Sequence, residues 1–268
     1  MFRNVEQVEV KTLADNSKEI IGSIVRAFKI IEFISSKGSA TFKDIRQETN
    51  FPPSTLNRYL KTLKFVHAIK EIGNDKYVIG ENLLTIKVDW LDSNETMKII
   101  SNEIKEVSEK TGETVHIAIL SEDMKNIVYL QTILGSKALT MKTPIGKMAP
   151  SYCTALGKML LASKPEELVR EAFKDFEFVK YTKTTICTLD KLIDELREIK
   201  TRCYAVDNGE SEEEVLCYAV PIENSKGETI AAMSISGFKV WMKQYNSEEL
   251  LSIMNNARKR LKKKLIEI

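Results

Sequence analysis

The 268-residue chain has little of what would commit it to metal, redox or membrane chemistry. Its four cysteines, Cys153, Cys187, Cys203 and Cys217, lie far apart, with no C-x-x-C pair and only two histidines, His67 and His116. That scatter argues against a zinc ribbon or a disulfide scaffold and fits reduced thiols, so no metal and no cofactor are expected. No apolar run approaches the roughly 20 residues that span a bilayer. The start of the chain, with Arg3, Glu6 and Glu9, lacks the apolar core of a signal peptide. The expectation is a soluble cytoplasmic protein with no membrane partner. A large excess of one charge is also missing, since 40 Lys+Arg stand against 38 Asp+Glu. The net charge of +2 therefore points to no partner by itself.

The distribution of charge is more telling. Residues 17–88 hold 12 Lys/Arg against 7 Asp/Glu, a local +5 that leaves −3 for the remainder. Within that basic stretch, Leu56, Leu60 and Leu63 recur at i, i+4 and i+7, one helical stripe, while Asn57, Arg58 and Lys61 face away from it. Ser54 is expected to cap this helix behind Pro52-Pro53. Upstream, Ile24, Phe28, Ile31 and Ile34 follow helical spacing up to Gly38. Thr41 stands three residues before Asp44 as a capping-box start for a short second helix bearing Phe42 and Ile45. Downstream, Ala68–Glu71 and Lys76–Ile79 flank the turn Gly73-Asn74-Asp75 as a hairpin. Three helices followed by a hairpin give the helix-turn-helix order with a wing. An amphipathic surface helix is the plainer reading of the stripe, and the wing and local positive charge favour DNA instead.

A further stripe, Met97, Ile100, Ile104 and Val107, predicts a helix over 95–111 closed by Gly112, a connector whose spare apolar side could serve a dimer contact. Beyond it strands and helices alternate. Strands are expected at 114–120, 126–131 and 139–142, and a helix at about 154–162. A helix capped by Ser163-Lys-Pro-Glu166 carries Leu168 and Ala172 inward, and another begins at Thr188 with Leu192, Leu196 and Ile199 inward. A hairpin follows over 215–222 and 229–236, then a last helix capped by Ser247 with a basic, solvated end at 258–264. Strand pairs with helices between them define an α+β sheet domain.

The order of helices, Pro53-Ser-Thr-Leu-Asn-Arg-Tyr-Leu60 and wing, followed by Cys153-Thr-Ala-Leu-Gly-Lys-Met-Leu-Leu-Ala162, Tyr204-Ala-Val-Asp207 and Met233-Ser-Ile-Ser-Gly237, resembles the IclR family of bacterial and archaeal transcriptional regulators. The resemblance spans about residues 20–262. It implies a flexible arm (1–19), a winged helix-turn-helix DNA-binding domain (20–88), a linker helix (89–111) and a GAF-like effector-binding domain on a curved antiparallel sheet (112–268). The implied partners are double-stranded DNA carrying a palindromic operator, a small-molecule effector, often a small organic acid or aromatic, and further copies in a homodimer or dimer of dimers. Asn57 and Arg58 would reach base edges, while Ser54, Thr55, Lys61, Lys64 and Lys76 would hold phosphates.

In the second domain the resemblance places Ala155 and Leu156 amides on the ligand's carboxylate, at a helix start whose first N–H groups lack internal partners. Asp207 and Cys217 match its other pocket positions, and Ser234 and Ser236, two apart on a strand, put both hydroxyls on one face, so that the amides and hydroxyls would donate to a small hydroxy- or keto-acid and Asp207 accept. Plainer readings stand beside these. The serines are packing residues, Cys217 a small buried apolar group, His116 a satisfied core histidine and His67 unremarkable. The segment Ala138–Met141, the other expected pocket wall, carries no diagnostic pattern. Two other functions compete: a cysteine enzyme using Cys217 or Cys153 with His116 as base, weakened by the absence of an elbow or oxyanion motif, and a ligand-independent DNA-binding module.

Overall fold

The computed structural model describes residues 20–73, 75–83, 85–86 and 95–265. The expected N-terminal arm, residue 74 of the wing turn and the first residues of the expected linker lie outside them. The chain divides into two compact units, residues 1–93 and 94–268.

In the first unit, α1 (Gly22–Lys37) leads to β1 (Ala40–Thr41), α2 (Phe42–Thr49), α3 (Pro53–Phe65), β2 (Ile69–Ile72) and β3 (Lys76–Ile79). The capping box forms as the spacing demands: the Thr41 hydroxyl accepts from the Asp44 amide and the Asp44 carboxylate accepts from the Thr41 amide. Leu56, Leu60 and Leu63 are buried with Ile30, Ile34, Ile45, Ile69 and Tyr77 in one core. The wing has a strand that periodicity does not announce, because Ala40 and Thr41 pair with Tyr77 and Lys76, giving the sheet order β1-β3-β2.

Two expectations fail in this unit. Ile24 and Phe28 are 52% and 56% exposed; α1 buries Ile30 and Ile34, whose phase is set by α2 and the wing. Ser54 does not cap α3. Pro52 occupies the N-cap and Pro53 the first helical position, where a missing N–H costs nothing, so Ser54 lies inside the first turn.

The second unit runs α4 (Glu95–Thr111), β4 (Thr114–Leu120), β5 (Asn126–Ile133), β6 (Met148–Pro150), α5 (Ala155–Ala162), α6 (Glu166–Phe173), α7 (Leu189–Arg202), β7 (Ala205–Asn208), β8 (Val215–Glu223), β9 (Thr229–Phe238), α8 (Lys239–Met242) and α9 (Ser247–Lys264). Its sheet is antiparallel in the order β6-β5-β4-β9-β8-β7. Strand alternation gives the sheet two characters. One face carries Ala118, Ala232, Ala219 and Ala205, small enough for α5 to lie close, together with the polar side chains of the site. The other presents Val115, Ile117, Met233, Ile235 and Ile222 and is covered by α4 and α9.

Several sequence expectations are corrected here. Residues 139–142 form no strand. The third hairpin partner is β6, which pairs Met148–Pro150 with Asn126–Val128 after Pro144 and Gly146 break the chain. In α6 the inward residues are Val169 and Phe173, one step out of phase with Leu168, and Pro165 at the N-cap supplies no side-chain cap. Asn246, not Ser247, caps α9 by accepting from the Glu248 amide. The apolar stripe of α4 is buried against α9 and the sheet rather than left spare. The basic end of α9 is not simply solvated: Arg260 and Lys264 pair with Glu103 of α4, and Arg258 and Lys262 with Glu223 of β8. Among the described residues no helix is long and apolar enough to cross a membrane.

Candidate functional site

The first unit presents one face of α3. Burial of the leucine stripe forces Asn57, Arg58 and Lys61 outward, and all three are exposed, as is Ser54; Thr55 is half-buried. Lys76, at the start of β3, is exposed. Lys64 is less available than its position suggests, because its ammonium lies 2.6 Å from Glu71 of β2, a bond that raises its pKa. A phosphate contact by Lys64 would have to compete with that carboxylate.

In the second unit Ala155, Leu156, Asp207, Cys217, Ser234 and Ser236 all line one cavity of about 310 Å³ between the sheet face and the start of α5. Thr154 caps α5: its hydroxyl accepts from Gly157, and its carbonyl accepts from Lys158. The amides of Ala155 and Leu156 are left without an acceptor inside the helix. Gly157 is what allows this turn to sit where it does, since a Cβ there would lie 2.2 Å from the Ser151 carbonyl oxygen.

The polar floor is built by register. Asp207, Cys217 and Ser236 stand side by side on β7, β8 and β9, and Thr132, His116 and Ser234 on β5, β4 and β9. The hydroxyls of Ser234 and Ser236 are 3.3 Å apart. Asp207 differs from the expectation that it accepts from a ligand. One carboxylate oxygen takes the Glu210 amide and the other the Ser211 hydroxyl, each at 2.7 Å, so it holds the turn after β7. Burial raises its pKa against those bonds.

Burial pushes the thiols of Cys217 and Cys153 up, and nearby Asp207 adds to it. Neither therefore supplies the thiolate that a cysteine enzyme would need. Burial also lowers the His116 pKa to about 4, which keeps the ring neutral. Among the described residues no group of three or more His, Cys, Asp or Glu is placed to hold a metal ion.

Other lining residues escaped sequence reasoning. Tyr129 packs edge-on against His116 with centroids 5.3 Å apart. Strict alternation from Thr132 would put Leu130 on this face, but a bulge between Ile117 and Ala118 pairs Gln131 with Ile117 and Tyr129 with Ala118. Thr143, Tyr181 and Glu212 enter the lining from irregular chain, where no period exists to read. Behind the cavity, Lys158 of α5 is buried between Glu210 and Glu195.

A winged helix-turn-helix unit with an exposed polar recognition face, joined in one chain with an antiparallel sheet domain that holds a small cavity, is the architecture of an effector-controlled transcriptional regulator. The family model for the C-terminal part of the bacterial transcriptional regulator IclR matches residues 88–262, and that of the IclR helix-turn-helix domain matches residues 23–64. The chain belongs to the IclR family and is a DNA-binding transcriptional regulator with a C-terminal effector domain. Its relatives carry names of regulators rather than enzymes. It is 27% identical over 248 residues to the HTH-type transcriptional regulator KdgR of Escherichia coli, covering 92% of this chain and 94% of that one. It is 29% identical over 244 residues to KdgR of Dickeya chrysanthemi, covering 91% and 79%. Among solved structures, the Thermotoga maritima IclR is 28% identical with a TM-score of 0.68, over 92% of this chain and 99% of that one. An IclR homolog from Microbacterium hydrocarbonoxydans, complexed with 4-hydroxybenzoate, shares the fold at 19% identity and a TM-score of 0.78, over 92% and 100%.

Proposed function

We propose that the effector is a small organic or aromatic acid held in the cavity of the second unit, and that its binding changes the affinity of the winged unit for a palindromic operator. The observation that carries this reading is the pair of amides, Ala155 and Leu156, without partners among the described residues, at the start of a helix that lines a cavity carrying several polar side chains. Such a helix end attracts an anion through both its N–H groups and its dipole. Ser234 and Ser236 supply hydroxyls, and Cys217 packs beside them; Asp207 shapes the wall by holding its turn.

On the DNA side, Asn57 and Arg58 read base edges, and Ser54, Thr55, Lys61, Lys64 and Lys76 hold the backbone. Residues 20–88 act as the reading domain, 112–268 as the effector domain, and the helix ending at Thr111 transmits between them. A homodimer, or a dimer of dimers, presents two reading heads to one palindrome.

The test is a thermal-shift screen of small acids and aromatics on the full chain, followed by titration of a duplex selected by the chain from a random pool. A compound that binds the native protein raises its apparent stability. The same compound should shift duplex affinity, as reciprocal coupling requires. A confirmed ligand that leaves duplex affinity unchanged would refute the switch.

A further inference from the structure

We infer that the effector presents a hydroxyl group to a bare acceptor nitrogen, Nε2 of His116, so that the site selects hydroxylated acids over their keto and deoxy counterparts. This rests on the effector reading above and names the ligand's second recognition element, independent of the anion at the start of α5.

One hydrogen atom decides the tautomer of His116. The Thr132 hydroxyl lies 2.9 Å from the carbonyl oxygen of Thr143. A carbonyl can only accept, so the single hydrogen of that hydroxyl is committed to it. Nδ1 of His116 lies 3.0 Å from the same hydroxyl oxygen. With the hydroxyl's hydrogen already used, this contact is a bond only if Nδ1 carries the proton and donates. A neutral imidazole has one ring proton, so Nε2 carries none and can only accept.

The surroundings keep the ring in that state and leave Nε2 for a ligand. His116 is 3% exposed and lines the cavity, and among the described residues Nε2 has no hydrogen-bond partner. Tyr129 packs against the ring at a steep angle, 69° between the planes. Ser234, directly opposite on β9, is within reach of Ser236. The burial that lowers the ring's pKa keeps it unprotonated at neutral pH. The cavity thus has amide donors at the helix start and a pure acceptor on the sheet. A ligand that fits both carries a carboxylate and, elsewhere on its frame, an O–H. A ketone at that point would set two lone pairs against each other, and a bare C–H would leave the acceptor unsatisfied.

The first measurement is long-range 1H–15N correlation on the free, full-length chain labelled at histidine. With two histidines in the sequence, His116→Phe identifies the signal. The expected result is a protonated Nδ1 and a bare Nε2, and a protonated Nε2 or an imidazolium at neutral pH would overturn the inference. The second is calorimetric titration of matched pairs: 2-hydroxyglutarate with 2-oxoglutarate, lactate with pyruvate, and 4-hydroxybenzoate with benzoate. The hydroxylated member of whichever pair binds should be favoured on the order of tenfold. Thr132→Val removes the hydroxyl that fixes the tautomer, and should level or invert that preference, whereas a merely structural loss would weaken both members alike. Equal binding of a pair by the parent chain refutes the role of His116 and leaves the effector pocket standing. Silence across all pairs and across the thermal-shift screen refutes both.

Discussion

Lys158 and Glu210, 52 positions apart in sequence, meet in a buried ion pair behind the cavity of the second unit. Lys158 is 1% exposed, and its ammonium also reaches Glu195 at 3.2 Å. Removing one partner of such a pair leaves an uncompensated buried charge. Lys158→Met is expected to destabilise the chain by about 3 kcal/mol or more, with partial recovery when Glu210→Gln is added. Denaturant unfolding of the single and double variants measures both. Additive losses would mean that the two groups do not act as a pair.

Gly157→Ala is expected to disturb the start of α5 through the backbone. The new Cβ would meet the Ser151 carbonyl oxygen at 2.2 Å and its Cα at 2.3 Å, contacts that only movement of the helix can relieve. Overpacking of this kind costs about 1–3 kcal/mol. It should also lower affinity for any acid found in the thermal-shift screen, because the Ala155 and Leu156 amides move with the helix. Unchanged ligand affinity in a stably folded variant would separate those amides from binding.

Arg58 and Lys61 are both exposed on α3 but are assigned different work. Arg58→Ala should cost about 1–3 kcal/mol and relax preference at one position of each half-site, while Lys61→Ala weakens binding to all sequences and flattens the salt dependence. Competition between selected and random duplexes at several salt concentrations distinguishes them. Equal losses on both duplexes for Arg58→Ala would exclude base reading.

His116 gives the chain a signature in acid. Its folded pKa of about 4 lies below the ordinary 6.5, so the fold favours the neutral ring. That contribution is fully present above pH 6.5 and is lost as pH falls towards 4. Its full size is on the order of 3 kcal/mol. The difference between the parent chain and His116→Phe isolates the histidine, and should shrink steadily from pH 6.5 to 4. A constant difference would exclude the linkage.

What the sequence determined by itself is what a few neighbouring residues encode. The leucine stripe of α3, the Thr41–Asp44 capping box, the Thr154 and Thr188 caps and the two large hairpins depend on spacings of two to seven residues. The family's motifs also brought together the six cavity residues, through resemblance rather than through any local rule. Tertiary structure decided the rest, because the deciding partner lies far along the chain. The phase of α1 depends on α2 and the wing, and the third strand of the β5 edge fell to Met148–Pro150 rather than residues 139–142. A bulge turned Tyr129 instead of Leu130 into the cavity. The basic tail of α9 found Glu103 and Glu223. The proton on His116 is likewise placed by two threonines, Thr132 and Thr143, whose hydrogen bond no pattern of residues could announce.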